Sequence, residues 1–214
     1  MNTWRSFFII ILLLAISAGL YFGLTQINSG GSSYPAGLPK KLRDRYAPDF
    51  ELELMDGTIY RMSEHVGSEV VILNFFATWC GPCKEEMPEF ERFSNDNSDK
   101  PVRLIGVDAN EKRNLVEPFI KEFGISFSVG IDYLYTLHGL YDVNYYPTTI
   151  IIGVDGKVWL YRVGSIADVD ESFGSIIKEN LDNLKQGKVI SKKEFLSGRI
   201  VDSGDAGGED QVKK

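Results

Sequence analysis

Both cysteines of this 214-residue chain fall within Trp79-Cys80-Gly81-Pro82-Cys83-Lys84, where an apolar strand pattern gives way to a helical one. Val70 to Phe76 (VVILNFF) is a short, nearly continuous run of β-branched and aromatic residues, as expected of a strand buried on both faces. From Pro82 onward, Met87, Phe90 and Phe93 recur at helical spacing. Pro82 suits a first helical turn, where its missing N–H is no loss and its fixed φ is already helical. Cys80 is thereby placed at or just before a helix N-terminus, whose unpaired N–H groups and positive dipole end favour thiolate over thiol. Only the thiolate attacks a disulfide, so Cys80 reads as an activated nucleophile. Cys83, one turn further in, is expected to be more buried and able to attack the mixed disulfide formed on Cys80. Thiol-disulfide exchange is therefore the leading chemistry.

A Cys-x-x-Cys pair is also found as half of a zinc site, as a haem attachment or as an inert staple. Haem attachment of the Cys-x-x-Cys-His kind is excluded because Lys84 follows Cys83. Zinc would need two more ligands, and the two histidines, His65 and His138, are isolated in the sequence. A staple closing so short a loop constrains little of the unfolded chain.

The N-terminus sets a second constraint. Phe7 to Leu24 (FFIIILLLAISAGLYFGL) carries no charge, follows Arg5, and precedes the next basic residue at Lys40. That length is about the minimum for a membrane-spanning helix, and the charge bias places the N-terminus in the cytoplasm and the rest outside. A cleavable signal peptide, with small residues at Ala15-Ile16-Ser17, is the competing reading. The apolar run continues to Leu24, beyond a usual signal core, which favours an uncleaved anchor. Asn28 to Pro39 (NSGGSSYPAGLP) reads as a flexible tether, and Ser203 to Lys214 as a polar, glycine-rich tail. A formal net charge of -7 with no basic stripe argues against nucleic acid as a partner.

Between these ends the pattern alternates. Phe50 to Leu54 and Thr58 to Arg61 flank Asp56-Gly57, a hairpin signal. A helix from Pro82 to about Asn95, interrupted at Pro88, a strand at Val102 to Val107, a helix at Asn114 to Phe123 and a short helix at Tyr133 to Tyr141 follow. Thr148 to Ile152 and Val158 to Val163 form strands around Asp155-Gly156. A helix spans Asp168 to Lys185, with Asp168 and Glu171 in a capping pattern and Gly187 past its end. The strand-helix-strand half demands parallel pairing and the final hairpin antiparallel, so the fold class is α/β with a central mixed sheet flanked by helices on both faces.

At this point the chain resembles thioredoxin-fold proteins, and more narrowly the membrane-anchored extracytoplasmic thiol-disulfide oxidoreductases of the ResA/TlpA type. The resemblance rests on Ala47-Pro48-Asp49-Phe50, on Leu73 through Lys84, and on Tyr146-Pro147-Thr148-Thr149. It covers about Tyr46 to Gln186, and together with the apolar and polar end segments it divides the chain into a membrane anchor at 1–27, a flexible linker at 28–45, a thioredoxin-like domain at 46–186 and a largely disordered C-terminal extension at 187–214. It also implies an N-terminal β-hairpin and a central insertion around Asn114 to Tyr133. Pro147 is expected to be cis and to lie against the active-site disulfide, with the backbone of Tyr146 offered to the partner chain. Trp79 is expected to pack beside the redox pair and shield it.

One departure stands out. Ordinary thioredoxins carry a buried aspartate near the inner cysteine on the strand before the active site, where this chain has Asn74. An amide exchanges no protons at physiological pH, so another group must accept the Cys83 proton. Glu86, three residues after Cys83 on the same helix face, is the candidate, and ResA-like proteins have a glutamate there. His65 and His138 read as structural. The tyrosines at 133, 135, 141, 145 and 146 fit either a partner groove or the core.

The expected function is a thiol-disulfide oxidoreductase, in the reducing direction, held on the outer (periplasmic) side of the cell membrane by a single N-terminal pass. Its expected partners are cysteine-containing extracytoplasmic proteins such as apocytochrome c in cytochrome c biogenesis, with electrons from a membrane thiol-disulfide donor. The expected site comprises Cys80, Cys83 and Glu86 for catalysis and Trp79, Tyr146 and Pro147 for substrate binding, with no metal or organic cofactor. A non-catalytic binding module with a structural disulfide and a peroxiredoxin-like peroxidase are the alternatives, the latter weakened because Thr78 is one residue too close to Cys80 for Thr-x-x-Cys.

Overall fold

The structure, a computed structural model, describes residues 35–43 and 45–198. The apolar segment read as an anchor, the first part of the linker and the tail from residue 199 lie outside the described residues. Among the described residues no helix is long and apolar enough to cross a membrane. In chain order the elements are β1 (Glu51–Glu53), β2 (Ile59–Arg61), α1 (Met62–His65), β3 (Val70–Phe76), α2 (Gly81–Asp96), β4 (Val102–Asp108), α3 (Arg113–Glu122) and β5 (Ser128–Ile131). They continue with α4 (Thr136–Tyr141), β6 (Thr148–Ile152), β7 (Val158–Val163), α5 (Val169–Lys185) and α6 (Lys192–Ser197).

The main sheet runs β5-β4-β3-β6-β7. β3 pairs in parallel with β4, and β4 with β5, while β6 lies antiparallel to both β3 and β7. All seven residues of β3 are buried, as its unbroken apolar run requires. Val70, Ile72 and Phe76 on one face join a core with Phe90 and Phe93 of α2, Phe119 of α3 and Phe173 of α5. Phe75 on the other face packs against His138 and Tyr141 of α4, and Tyr141 meets Phe50 edge-on. Helices thus cover both faces, and the Cys80–Cys83 segment sits where the central strand ends.

α2 runs unbroken through Pro88. The proline lies on the exposed side of the helix, so water can serve the carbonyl that its missing N–H leaves free. The insertion supplies α3 and an edge strand, β5, that the sequence pattern did not reveal. β1 and β2 form the expected hairpin, and it covers that edge: Met55 N–H donates to Val129 C=O at 2.7 Å, and Leu54 bridges to Gly130. Only glycine fits at 130, because a Cβ there would stand 2.5 Å from Leu52 Cγ.

The folded unit extends past both expected boundaries. Leu38 and Leu42, assigned to the flexible linker, are buried around a 3-10 turn at Lys40–Leu42. Residues 187–198, assigned to the extension, carry α6, bury Ile190 and Phe195, and tie Ile190 N–H to Val154 C=O at 3.1 Å. Isolated apolar residues in polar surroundings reveal their burial only once tertiary partners exist.

Candidate active site

Cys80 is the N-cap of α2, and the N–H of Cys83 donates to its Sγ at 3.2 Å. A side-chain acceptor at an N-cap satisfies one of the helix's orphaned donors, and the same donor supports negative charge on sulfur. The two cysteines are joined as a disulfide, with Cα atoms 5.3 Å apart. Cys80 is 5 % exposed and Cys83 fully buried, so the outer and inner roles follow from position alone.

Three further residues frame the outer sulfur. The Tyr146–Pro147 peptide is cis, as the resemblance implies. Among the described residues neither the N–H nor the C=O of Tyr146 takes a hydrogen-bond partner, so both stay available to an extended chain. Trp79 meets the Tyr146 ring edge-on at 5.9 Å, yet it is 69 % exposed, so it rims the site and does not shield it. Of the other tyrosines, Tyr141 belongs to the core, while Tyr133, Tyr135 and Tyr145 are exposed.

Glu86 lies one turn beyond Cys83 on α2, 2 % exposed. Its Oε1 accepts from Asn74 Nδ2 at 2.9 Å, and its Oε2 accepts from Ile166 N–H at 3.1 Å. Asn74 Nδ2 also donates to Thr149 Oγ1 at 3.1 Å, while its Oδ1 is buried without a partner. Burial pushes the Glu86 carboxyl up to about 7, against the opposing pull of Asn74, the Ile166 N–H and Arg162. A carboxyl poised there can take or give a proton near neutrality.

A second acidic group went unread in the sequence. Glu111 accepts from Thr78 N–H at 2.6 Å and from Thr78 Oγ1 at 2.8 Å, holding the loop two residues before Cys80. Asp108, at the end of β4, accepts from Glu111 N–H at 2.8 Å and is fully buried, with Oδ2 unpartnered. Burial raises the Asp108 carboxyl, only partly offset by that N–H, and the adjacent Glu111 carboxyl adds to the rise. The available signal was one carboxylate at the end of a largely buried strand parallel to β3 and another three residues on, since parallel sheets build sites at strand carboxyl ends. Tyr146 is held up at about 12, first by burial, then by Tyr135, Asp108, Asp132 and Glu111. Among the described residues no cluster of three or more His, Cys, Asp or Glu could hold a metal ion.

A mixed sheet with a capped Cys-Gly-Pro-Cys helix facing a cis-proline loop defines a thioredoxin-like thiol-disulfide oxidoreductase. Comparison with known proteins agrees. The chain belongs to the AhpC/TSA family, whose pattern it matches over residues 44–160. It is 32% identical over 178 residues to the thiol-disulfide oxidoreductase ResA of Bacillus thuringiensis (strain Al Hakam), spanning 83% of this chain and 93% of the relative. To the ResA of Bacillus subtilis (strain 168) it is 32% identical over 142 residues, 66% of this chain and 75% of the relative. A solved thiol:disulfide interchange protein of the thioredoxin family from Chlorobium tepidum TLS superposes with a TM-score of 0.57 at 26% identity, covering 65% of this chain and 97% of that one.

Proposed function

We infer that this oxidoreductase works as a membrane-tethered reductase of extracytoplasmic proteins. In the dithiol form, Cys80 thiolate attacks a partner disulfide, making a Cys80–partner bond and releasing one partner thiolate, which takes up a proton. Cys83 then gives its proton to the Glu86 carboxylate and attacks Cys80 Sγ. The Cys80–Cys83 disulfide forms, the second partner thiolate leaves, and two electrons have passed to the partner. Asn74 orients Glu86, and the free N–H and C=O of Tyr146 pair with the partner chain beside Trp79 and Pro147. The cycle uses no metal or organic cofactor; a membrane thiol-disulfide donor restores the dithiol. The observation that carries the reading is Cys80 Sγ capping α2 above a fully buried Cys83.

The uncharged run from Phe7 to Leu24 supports a single-pass anchor with the catalytic domain outside, where disulfides persist and a reductant needs a dedicated supply. The Gly81-Pro82 dipeptide between the cysteines, which resembles that of reducing thioredoxins, supports the reducing direction, with apocytochrome c cysteines as candidate substrates. Partner trapping on full-length Cys83→Ala in cells tests it, because the mixed disulfide on Cys80 can no longer be resolved. Apocytochrome c among the trapped species is the expected result; trapping only cytoplasmic proteins refutes the placement, and trapping nothing refutes partner exchange.

A further inference from the structure

Among the described residues no large apolar side chain is more exposed than that of Leu134, at 86 %. It lies in a 3-10 turn, Tyr133–Tyr135, whose two tyrosines are each about half exposed. Leu134 and Tyr135 also have positive φ, 65° and 56°, backbone that a residue with a Cβ avoids unless its surroundings impose it. A strained leucine held out in water returns nothing to the fold through burial, and such residues gather where a ligand is met.

The turn stands beside the redox pair. Two consecutive residues past the end of β4 hold the two segments: Glu111 accepts from the N–H and hydroxyl of Thr78, and Asn110 Oδ1 accepts from Leu134 N–H at 3.3 Å. Asn110 has a φ of 60°, which asparagine tolerates, so its side chain is aimed at the turn by its own backbone. From the other side Tyr135 N–H donates to Asp132 C=O at 3.1 Å. The N–H groups of Leu134 and Tyr135 are thus both taken, and what the turn offers outward is its side chains. Its rings run on toward the site: Tyr135 meets His138 at 5.2 Å, His138 meets Tyr146 at 5.5 Å, and Tyr146 meets Trp79 at 5.9 Å.

We propose that the Tyr133–Tyr135 turn is a specificity surface for a large apolar side chain flanking the reactive cysteine of the partner. A substrate must bring its sulfur to Cys80, so the chain beside that sulfur passes over Tyr146 and reaches the turn. There an apolar side chain and Leu134 leave water together. A charged side chain would lose hydration with no backbone donor of the turn free to replace it. Because the turn is already held in place in the free protein, little ordering remains to be done on binding. The inference rests on the exchange reading and names the chemistry of its substrate.

The test uses the reduced full-length protein and oxidised two-cysteine peptides that carry either Leu or Ser at one position. The position is scanned over about five residues on each side of the first cysteine, the reach of an extended chain along the row of rings. At one position the Leu peptide is expected to react about tenfold faster than its Ser counterpart, the worth of partly burying one leucine. Leu134→Gly removes the side chain and suits the positive φ, so it is expected to lower that ratio several-fold while its urea midpoint stays at or above that of the native chain. Leu134→Asn, which also tolerates that φ, is expected to do the same. Equal rates for Leu and Ser at every position overturn the surface while exchange stands, and so does a ratio that survives in both variants. A midpoint that falls in both variants makes Leu134 part of the fold and overturns the surface too. If no peptide of either kind is reduced, the exchange reading falls and takes the surface with it.

Discussion

Asn74 Nδ2 lies 2.9 Å from Glu86 Oε1, joining the central strand to the helix that Cys80 caps. The strand position that carries a carboxylate in ordinary thioredoxins here carries an amide, and the carboxylate has moved to the helix. An amide holds a neighbouring carboxylate in place without competing for its proton. The same Nδ2 reaches Thr149, two residues after the cis proline, so one side chain ties together the strand, the active-site helix and the cis-proline loop.

The raised Glu86 carboxyl makes stability depend on pH. The folded chain keeps a proton up to about 7 that the unfolded chain releases near the ordinary 4.5. The folded state therefore binds more protons across that window, and stability falls as pH rises through it, by on the order of 3 kcal/mol. Urea unfolding of the oxidised protein at pH 5 and pH 8 should show this decline, and Glu86→Gln should make it shallower, leaving the share that the raised Asp108 carboxyl contributes. An equal decline in the variant would assign it to another group, with Asp108 the next candidate.

Asn74→Asp would set two carboxyl groups at the Asn74–Glu86 contact. They would share a proton, and the pair would lose its second proton only well above the range of an isolated carboxyl. The variant should be more steeply destabilised between pH 5 and pH 8 than the native chain, in the same unfolding measurement. A shallower slope would mean that Thr149 turns its hydroxyl to serve the new aspartate.

Strands β3, β6 and β7 run over the residues their sequence patterns mark, because each is a continuous apolar or alternating run bounded by turn residues. β5 escaped because four residues, Ser-Val-Gly-Ile, carry too little pattern; it exists through its pairing with β4 and the hairpin laid over it. The cysteine pair and Glu86 were legible from helical phase. The hold of Glu111 on Thr78 was not, since it spans 33 residues and depends on β4 lying beside β3. The grouping of Asp132, Tyr135 and Tyr146 around the His138 imidazole was not legible either, since it depends on segments that meet only in the folded chain.

The C-terminal segment yields a stability prediction. Phe195 is the buried residue of α6; its ring packs 6.2 Å from that of Tyr46, whose hydroxyl donates to Glu194 at 2.8 Å. Phe195→Ala removes a core aromatic and should cost about 3–5 kcal/mol. Ending the chain after Gln186 should cost at least as much, because Ile190 is lost as well. Denaturant midpoints decide it: a truncated chain as stable as the native one would make α6 an appendage.

Trp79 keeps 69 % of its surface in water beside the redox pair, although burying a large ring is among the most favourable things a chain can do. Little of the fold depends on it; among the described residues its ring contact is the edge-on meeting with Tyr146. Trp79→Ala should therefore change the unfolding free energy by less than about 1 kcal/mol. In the proposed exchange the partner chain would cover the indole as it pairs with Tyr146. The second-order rate of exchange should then fall more with an oxidised peptide than with a small disulfide such as oxidised glutathione. Parallel losses with both would instead place the indole in the chemistry of Cys80 itself, and a large loss of stability would place it in the core.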